Sequence, residues 1–179
     1  MDNKSFTLHI KNKIKPFKKV IEVDSDKSMS IRSFLISAIS HNISDVKNVL
    51  ESEDVLSCVN CLRKLGVKIL KIKNKEYKIY GKGLGSLRID KNKTLDCGNS
   101  GTTARLLIGL LSTNPDIKVK ITGDHSLKKR NMSKLIKLMA EFGATFYPLK
   151  RDRFPLTLVS SEMPVGINYR AGVSAQLKS

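Results

Sequence analysis

Apolar residues recur along the chain with helical and then strand spacing. Between residues 31 and 39 they return every three or four positions, which predicts an amphipathic helix. A short strand is expected over 45–50, followed by a second helix over 53–65. We expect Ser52 to cap this helix and Glu53 and Asp54 to place negative charge in its first turn. The segments 67–73 and 76–80 alternate between apolar and polar residues around a two-residue turn, which predicts a hairpin. The predicted order is therefore helix, strand, helix, strand, strand.

The same order returns further along the chain, now preceded by a strand. The helix over 102–111 is apolar on nearly every side, so we expect it to be central and buried. The other predicted elements are strands over 94–97 and 117–122, a helix over 132–142, and a closing strand pair over 144–147 and 155–159. A third copy is expected to begin with a strand at 167–170.

Matching residues support a repeat. Arg32, Arg105 and Lys178 are spaced 73 residues apart, each near the start of a predicted helix. Gly66 and Gly143, which we expect to end equivalent helices, are 77 residues apart. A repeat of this length is longer than one hairpin and indicates a reused α/β unit. The predicted fold is α/β (α+β), built from repeated β-α-β-α-β-β units.

The segment 96–107 has the most informative chemistry. It joins a strand to the apolar helix through a turn of small hydroxyl residues, in which Gly98 and Gly101 allow unusual backbone angles or close approach by a ligand. Unpaired N–H groups at a helix start attract anions, and Arg105 lies one turn later. Arg130 is expected near the start of another helix and suits a phosphate or carboxylate. The alternative is a simple N-capped buried helix.

Composition narrows the class of protein. Of 179 residues 40% are hydrophobic, enough for a core, and neither an apolar run long enough to span a membrane nor a signal peptide is visible. The formal charge of +17 raises nucleic-acid binding as an alternative. Against it, the lysines lie mostly in turns, Trp is absent, and only 6% of residues are aromatic. We expect a cytoplasmic protein that binds small anions, not nucleic acid or membranes.

The cysteines and histidines do not form a ligand pattern. Three cysteines are an odd number and argue against a disulfide framework. Cys58 and Cys61 form a C-x-x-C that could be a metal or redox site, but both fall within a predicted helix without a second pair. Cys97 beside the turn is expected to be a small buried side chain. No metal site is predicted.

Four segments in order along the chain resemble motifs of the 5-enolpyruvylshikimate-3-phosphate synthase family. They are residues 26–32, 95–107, 123–130 and 174–179. The resemblance extends from about residue 5 to the last residue. It implies a fold of six β-α-β-α-β-β repeats in two domains with substrates between them, of which this chain holds two repeats and a fraction. Ser25, Ile31 and Asn131 depart from the residues common in the family, but none removes a charge that contacts substrate.

The resemblance implies an activity. The enolpyruvyl group of phosphoenolpyruvate is transferred to the 5-hydroxyl of shikimate 3-phosphate with release of phosphate, on the shikimate pathway to chorismate and aromatic amino acids. No metal or organic cofactor is used. The resemblance assigns catalysis and contact with both substrates to Lys27. It assigns shikimate 3-phosphate to Lys27, Ser28, Arg32, Ser174, Ala175 and Gln176, and phosphoenolpyruvate to Lys27, Asn99, Gly101, Arg130 and Gln176.

The resemblance also implies a domain organisation. Residues 1–14, with a strand around 6–10, would belong to a second domain, and 15–179 to an incomplete substrate-binding domain. Within it the repeats are expected at about 20–82, about 87–160 and from about 165. The chain is thus expected to be a fragment that does not catalyse alone, from an enzyme that is monomeric when full length. The alternatives are a UDP-N-acetylglucosamine enolpyruvyl transferase and a non-enzymatic basic module that binds nucleic acid.

Overall fold

A computed structural model describes residues 7–9, 11, 16, 18, 20–170 and 172, which contain both helices and strands. The helices are α1 (Lys27–Ile39), α2 (Glu53–Lys64), α3 (Gly101–Ser112), α4 (His125–Lys129) and α5 (Ser133–Glu141). The strands are β1 (Ile43–Val46), β2 (Lys68–Lys73), β3 (Glu76–Tyr80), β4 (Thr94–Asp96), β5 (Lys118–Thr122), β6 (Thr145–Tyr147) and β7 (Leu156–Val159).

The first sheet has the strand order β1-β3-β2, and its strands are antiparallel. The predicted hairpin is confirmed as β2 and β3, with Lys75 in the left-handed region at φ 57°. The strand predicted over 45–50 begins and ends earlier, at 43–46. Asn48 adopts φ 56°, which interrupts the extended backbone and ends the pairing of β1 with β3 at Val46.

The second sheet has the order β4-β5-β7-β6 and repeats the plan of the first. In the first sheet β2 and β3 form an antiparallel pair, and β1 pairs with the other edge of β3. In the second sheet β6 and β7 form the corresponding pair, and β5 pairs with the other edge of β7. The second unit also has an opening strand, β4, parallel to β5. The first unit has no opening strand among its described residues 20–26. The predicted β-α-β-α-β-β order is therefore confirmed in full only for the second copy.

Two predicted strands at the ends of the chain differ from the structure. The strand predicted at 167–170 is not formed, and residues 164–170 have no regular secondary structure. Of the strand predicted around 6–10, residues 7–9 are described without strand pairing, and its two ends lie outside the described residues. Neither segment has a described neighbouring strand that satisfies its backbone groups, which a strand requires.

Three helices meet between the two sheets. Helices α1, α2 and α3 contact one another, while α1 also packs on β3 and α3 packs on β7. The burial of α3 is confirmed, because its alanine and most of its leucine and isoleucine side chains lie in the core. The buried residues of both units form one continuous core. The starts of the three helices are held in fixed positions by this packing.

The glycines predicted to end helices do so in the structure, whereas one predicted helix cap is not formed. Gly66 follows α2 at φ 85° and Gly143 follows α5 at φ 101°, as expected for left-handed residues that end helices. Ser52 precedes α2, but its side chain makes no capping hydrogen bond, contrary to the prediction. The acidic residues Glu53 and Asp54 in the first turn instead complement the helix dipole.

The buried side chain of Tyr77 makes the stability of the fold depend on pH at alkaline values. Tyr77 is 4% exposed, and its hydroxyl donates to Glu51 Oε1 at 2.6 Å. Burial and this hydrogen bond raise the pKa of Tyr77 to about 12. Since the folded-state pKa lies above the usual value of about 10, the stabilisation is present below pH 10 and is lost as pH rises through about 12. Between about pH 10 and pH 12, the melting temperature of the unmodified chain should therefore fall more steeply with pH than that of Tyr77→Phe. Equal dependence on pH in the two proteins would contradict this prediction.

Candidate functional site

The turn after β4 shapes the start of α3. Gly98 adopts φ 55°, and its N–H donates to Asp96 Oδ1 at 2.9 Å. Ser100 caps the helix, because its hydroxyl oxygen accepts the N–H of Thr103 at 3.2 Å. One of the first helical N–H groups is thereby satisfied. Asn99 in the turn is exposed, whereas Gly101, the first residue of α3, is buried. The predicted glycine-containing turn before a buried helix is confirmed, and the cap at Ser100 is the feature expected from the alternative of an N-capped buried helix.

A second turn packs directly against the first. Strands β4 and β5 are parallel, so their carboxyl ends lie side by side. The N–H of Asp124, after β5, donates to the carbonyl of Gly98 at 2.9 Å. A Cβ on Gly123 would lie 2.5 Å from the same carbonyl oxygen, so only glycine permits this approach. The two turns thus form one edge from which α3 and α4 begin.

Arg130 is brought to this edge by the short helix α4. As predicted, Arg130 lies near the start of a helix: it follows the last residue of α4 and comes shortly before Met132, which precedes α5. Its Nη2 atom donates to Asn99 Oδ1 at 2.6 Å. The helix α4 was not predicted separately, because its five residues are too short to show a periodic pattern. Arg130 therefore lies beside the turn that follows β4.

Two guanidinium groups converge over Gly101. A Cβ at this position would lie 2.5 Å from Arg130 Nη1 and 3.0 Å from Arg105 Nη1. Burial, reinforced by the charge of Arg130, lowers the pKa of Arg105. Both charges stand beside a helix start, where the dipole is also positive. An anion bound here would relieve the repulsion between the two arginines and would receive charge-assisted hydrogen bonds.

The start of α1 supplies further cations. Asp26 caps this helix by accepting the N–H of Met29 at 2.7 Å. Lys27 is the first helical residue, and its side chain is 47% exposed. Arg32 lies just over a turn later, and its Nη1 atom donates to the carbonyl of Ser28 at 3.4 Å. The predicted residues of this motif therefore lie along the first turns of one helix.

Asp54 connects the starts of the three helices and was missed as a site residue from the sequence. Its Oδ2 atom is 2.8 Å from the ammonium nitrogen of Lys27. Its main-chain carbonyl accepts a hydrogen bond from Thr103 Oγ1 at 3.4 Å, and Thr103 Oγ1 in turn accepts from the hydroxyl of Ser100. In the sequence, Asp54 is one of two acidic residues at a helix start, and that pattern gives no indication of the lysine.

The structure thus brings together most of the predicted site residues that it describes. Asn99, Gly101 and Arg130 are in mutual proximity, and Lys27 is joined to the start of α3 through Asp54. Ser28 and Arg32 accompany Lys27 on α1. The predicted residues Ser174, Ala175 and Gln176, and also Lys178, lie outside the described residues.

The three cysteines are part of the buried core. Cys58, Cys61 and Cys97 are buried and free, as expected for structural side chains. A hydrogen bond with Cys61 and burial raise the pKa of the Cys97 thiol well above its usual value, which disfavours the thiolate needed for nucleophilic chemistry. Among the described residues, no group of three or more His, Cys, Asp or Glu side chains could hold a metal ion. No helix in the described part of the chain could cross a membrane.

Comparison with known proteins gives one consistent family. Residues 11–179 match the model of the family described as EPSP synthase (3-phosphoshikimate 1-carboxyvinyltransferase). The chain is 39% identical over 171 residues to a 3-phosphoshikimate 1-carboxyvinyltransferase of Syntrophomonas wolfei, covering 95% of this chain and 39% of the relative. It is 40% identical over 172 residues to that of Leptospira interrogans, again covering 95% of this chain and 39% of the relative.

The fold agrees with a solved structure. The EPSP synthase of Acinetobacter baumannii superposes with a TM-score of 0.81 at 36% identity, over 88% of this chain and 36% of that one. This confirms the predicted fold class. The description of the matching family names 3-phosphoshikimate 1-carboxyvinyltransferase and not the UDP-N-acetylglucosamine enolpyruvyl transferase considered from the sequence. The chain spans about two fifths of the length of the curated relatives it matches.

Proposed function

Because the chain belongs to the EPSP synthase family, we propose that it supplies part of the substrate site of a 3-phosphoshikimate 1-carboxyvinyltransferase. This activity transfers the enolpyruvyl group of phosphoenolpyruvate to the 5-hydroxyl of shikimate 3-phosphate and releases phosphate. Both substrates carry a phosphate and a carboxylate, so binding them requires several cations in one place. The convergence of Arg105 and Arg130 over Gly101 is the observation that carries the proposal.

Phosphoenolpyruvate is assigned to the edge formed by the turns after β4 and β5. The contact of Arg130 with Asn99 orients the guanidinium, and the absent side chain of Gly101 lets the guanidinium groups of Arg130 and Arg105 lie against the start of α3. Lys27 has the proposed catalytic role. A fixed ammonium group stabilises negative charge that develops on the substrates during addition and elimination.

Shikimate 3-phosphate is assigned to the start of α1 and to a later segment. Arg32 would pair with its carboxylate, and Ser28 and Lys27 would bind beside it. The proposed partners of its phosphate and ring are Ser174, Ala175 and Gln176, with Gln176 also approaching phosphoenolpyruvate. The assignment of the two substrates to α1 and α3 is supported by the link through Asp54, which holds the two helix starts together.

The proposal includes a cellular setting. The enzyme would act in the cytoplasm, on the shikimate pathway to chorismate and the aromatic amino acids, as a monomer without a cofactor. Small anions would be its partners, and neither nucleic acid nor a membrane would be needed. The net charge of +17 would then raise the rate at which anionic substrates are captured.

Calorimetric titration with shikimate 3-phosphate tests the substrate assignment. We expect saturable binding by the chain, weakened about tenfold or more in Arg32→Ala, because a charge-assisted hydrogen bond to a carboxylate is lost. Arg63→Ala is the matched control, since it removes the same charge at the opposite end of α2. Equal losses in both variants would indicate a general effect of charge and would contradict the assignment.

Gly101→Ala should weaken the binding of phosphoenolpyruvate while leaving the fold intact. The new methyl group would displace Arg130 and Arg105, whose flexible ends lie within 2.5 and 3.0 Å of its position. We expect affinity for phosphoenolpyruvate to fall about tenfold, with a melting temperature close to that of the unmodified chain. A large loss of stability with unchanged affinity in the folded fraction would contradict this account.

A further inference from the structure

We infer that Asp54 is a positioning residue, which holds the ammonium group of Lys27 in the place where both substrates require it. The inference rests on the proposed function, in which Lys27 contacts substrate. Asp54 belongs to α2, whereas Lys27 begins α1, so their contact fixes a side chain of one helix from another. Its Oδ2 atom lies 2.8 Å from Lys27 Nζ.

Stability alone gives a weak reason for this ion pair. The side chain of Lys27 is 47% exposed, and exposed pairs contribute little to folding because water screens them and the long side chain loses entropy. The side chain of Asp54 is 19% exposed, so the carboxylate is the more firmly held partner. A fixed carboxylate can orient the ammonium group of Lys27, and the partial exposure of that group leaves it accessible to a ligand.

The main chain of Asp54 adds a second connection. Its carbonyl accepts a hydrogen bond from Thr103 Oγ1, which also receives the hydroxyl of Ser100 at the cap of α3. Asp54 therefore connects Lys27 to the start of α3, where Asn99, Gly101 and Arg130 converge. Through Asp54, the half of the site proposed for shikimate 3-phosphate is set at a fixed distance from the half proposed for phosphoenolpyruvate.

A second carboxylate provides the control. Glu53 precedes Asp54 in the first turn of α2, has the same formal charge and also complements the helix dipole. In the described residues it makes no ion pair, whereas Asp54 does. A simple electrostatic effect would make Glu53→Gln and Asp54→Asn alike, because each removes one negative charge near the anion site and should tighten anion binding. If Asp54 positions Lys27, Asp54→Asn should weaken anion binding, whereas Glu53→Gln should leave it unchanged or tighten it.

The first measurement is the rate at which an amine-reactive acetylating reagent modifies Lys27, followed by peptide mass spectrometry. An ammonium group held against a carboxylate reacts more slowly than a free one. We expect modification to be about threefold faster in Asp54→Asn and unchanged in Glu53→Gln. Asp54→Glu, which keeps the charge, should restore a rate near that of the unmodified chain. Equal rates in Asp54→Asn and the unmodified chain would overturn the inference without reference to any substrate.

The second measurement is calorimetric titration with shikimate 3-phosphate. We expect Asp54→Asn to bind about fivefold more weakly despite losing a negative charge, and Glu53→Gln to bind equally or more tightly. In a Lys27→Gln background, Asp54→Asn should cause no further loss, because no ammonium group remains to be held. Tighter binding by Asp54→Asn in the presence of Lys27 would overturn the inference.

The two measurements separate this inference from the proposed function. Suppose that the unmodified chain binds no shikimate 3-phosphate, but that Lys27 is acetylated faster in Asp54→Asn as expected. The substrate assignment then fails, and the contact between Asp54 and Lys27 stands. If shikimate 3-phosphate binds and depends on Arg32, but Asp54→Asn behaves like Glu53→Gln, the substrate assignment stands and Asp54 has no positioning role. Thermal unfolding of each variant identifies any loss that comes from misfolding.

Discussion

Arg130→Ala is expected to weaken binding of phosphoenolpyruvate by about a hundredfold, because it removes an oriented guanidinium from a site built around two of them. The Nη2 atom of Arg130 is held at 2.6 Å by Asn99, so the charge is placed before the ligand arrives. The remaining Arg105, whose pKa is lowered by burial and by Arg130, would keep only part of the attraction. Titration calorimetry at two salt concentrations measures the loss.

The control for Arg130→Ala is again Arg63→Ala, which has the same change in charge in the last turn of α2. Its effect on affinity should be less than about twofold at moderate salt, since salt screens exposed charges that do not contact the ligand. Arg130→Lys should recover only part of the binding, because an ammonium group lacks the planar fork that contacts Asn99 and a phosphate together. Full recovery by lysine would show that charge alone is sufficient and would contradict the geometric argument.

Gly123→Ala is expected to destabilise the fold by about 2 kcal/mol, because there is no space for a side chain where the two turns meet. The added Cβ would lie 2.3 Å from Leu127 Cδ2 and 2.5 Å from the carbonyl oxygen of Gly98. The second neighbour is backbone and cannot rotate away, so the turns must separate. The hydrogen bond from Asp124 to Gly98 would then lengthen. Thermal unfolding should show a melting temperature lower by about 4 to 8 °C.

Gly109→Ala is the matched control for this change. Gly109 lies within α3, and nothing stands within 4 Å of the position that its Cβ would take. Alanine is the better helix former, so this variant should be more stable by about 0.5 to 1 kcal/mol. Opposite signs for the same substitution at two glycines would show that packing of the turns decides the outcome. A loss of similar size at both positions would contradict this.

The elements predicted from the sequence were those with a repeating signal. The alternation in β2 and β3 and the helical spacing in α1 and α2 each extend over several residues, so single exceptions do not hide them. The position of β1 was wrong because one residue, Asn48, adopts a left-handed backbone angle that composition does not reveal. The absence of a strand at 167–170 has a related cause, since pairing depends on a neighbour that the segment itself does not specify.

The site was predicted from motifs, and its long-range contacts were not. The anion-binding character of the turn follows from its glycines, its hydroxyl residues and Arg105, which lie within one short segment. The contact of Arg130 with Asn99 joins residues 31 positions apart, and it requires two parallel strands to end side by side. The role of Asp54 depends on the packing of α2 against α1, which no local pattern encodes.

In the proposed function, the starts of α1 and α3 form one site for the two substrates. A titration followed by ¹H–¹⁵N nuclear magnetic resonance, with shikimate 3-phosphate and then phosphoenolpyruvate, measures where each ligand binds. We expect amide shifts to concentrate at residues 27–32 for the first ligand and at 99–105 and 127–130 for the second. Shifts spread instead over exposed lysines of the sheets, such as Lys118 and Lys120, would show general attraction of anions and would exclude a shared site at the two helix starts.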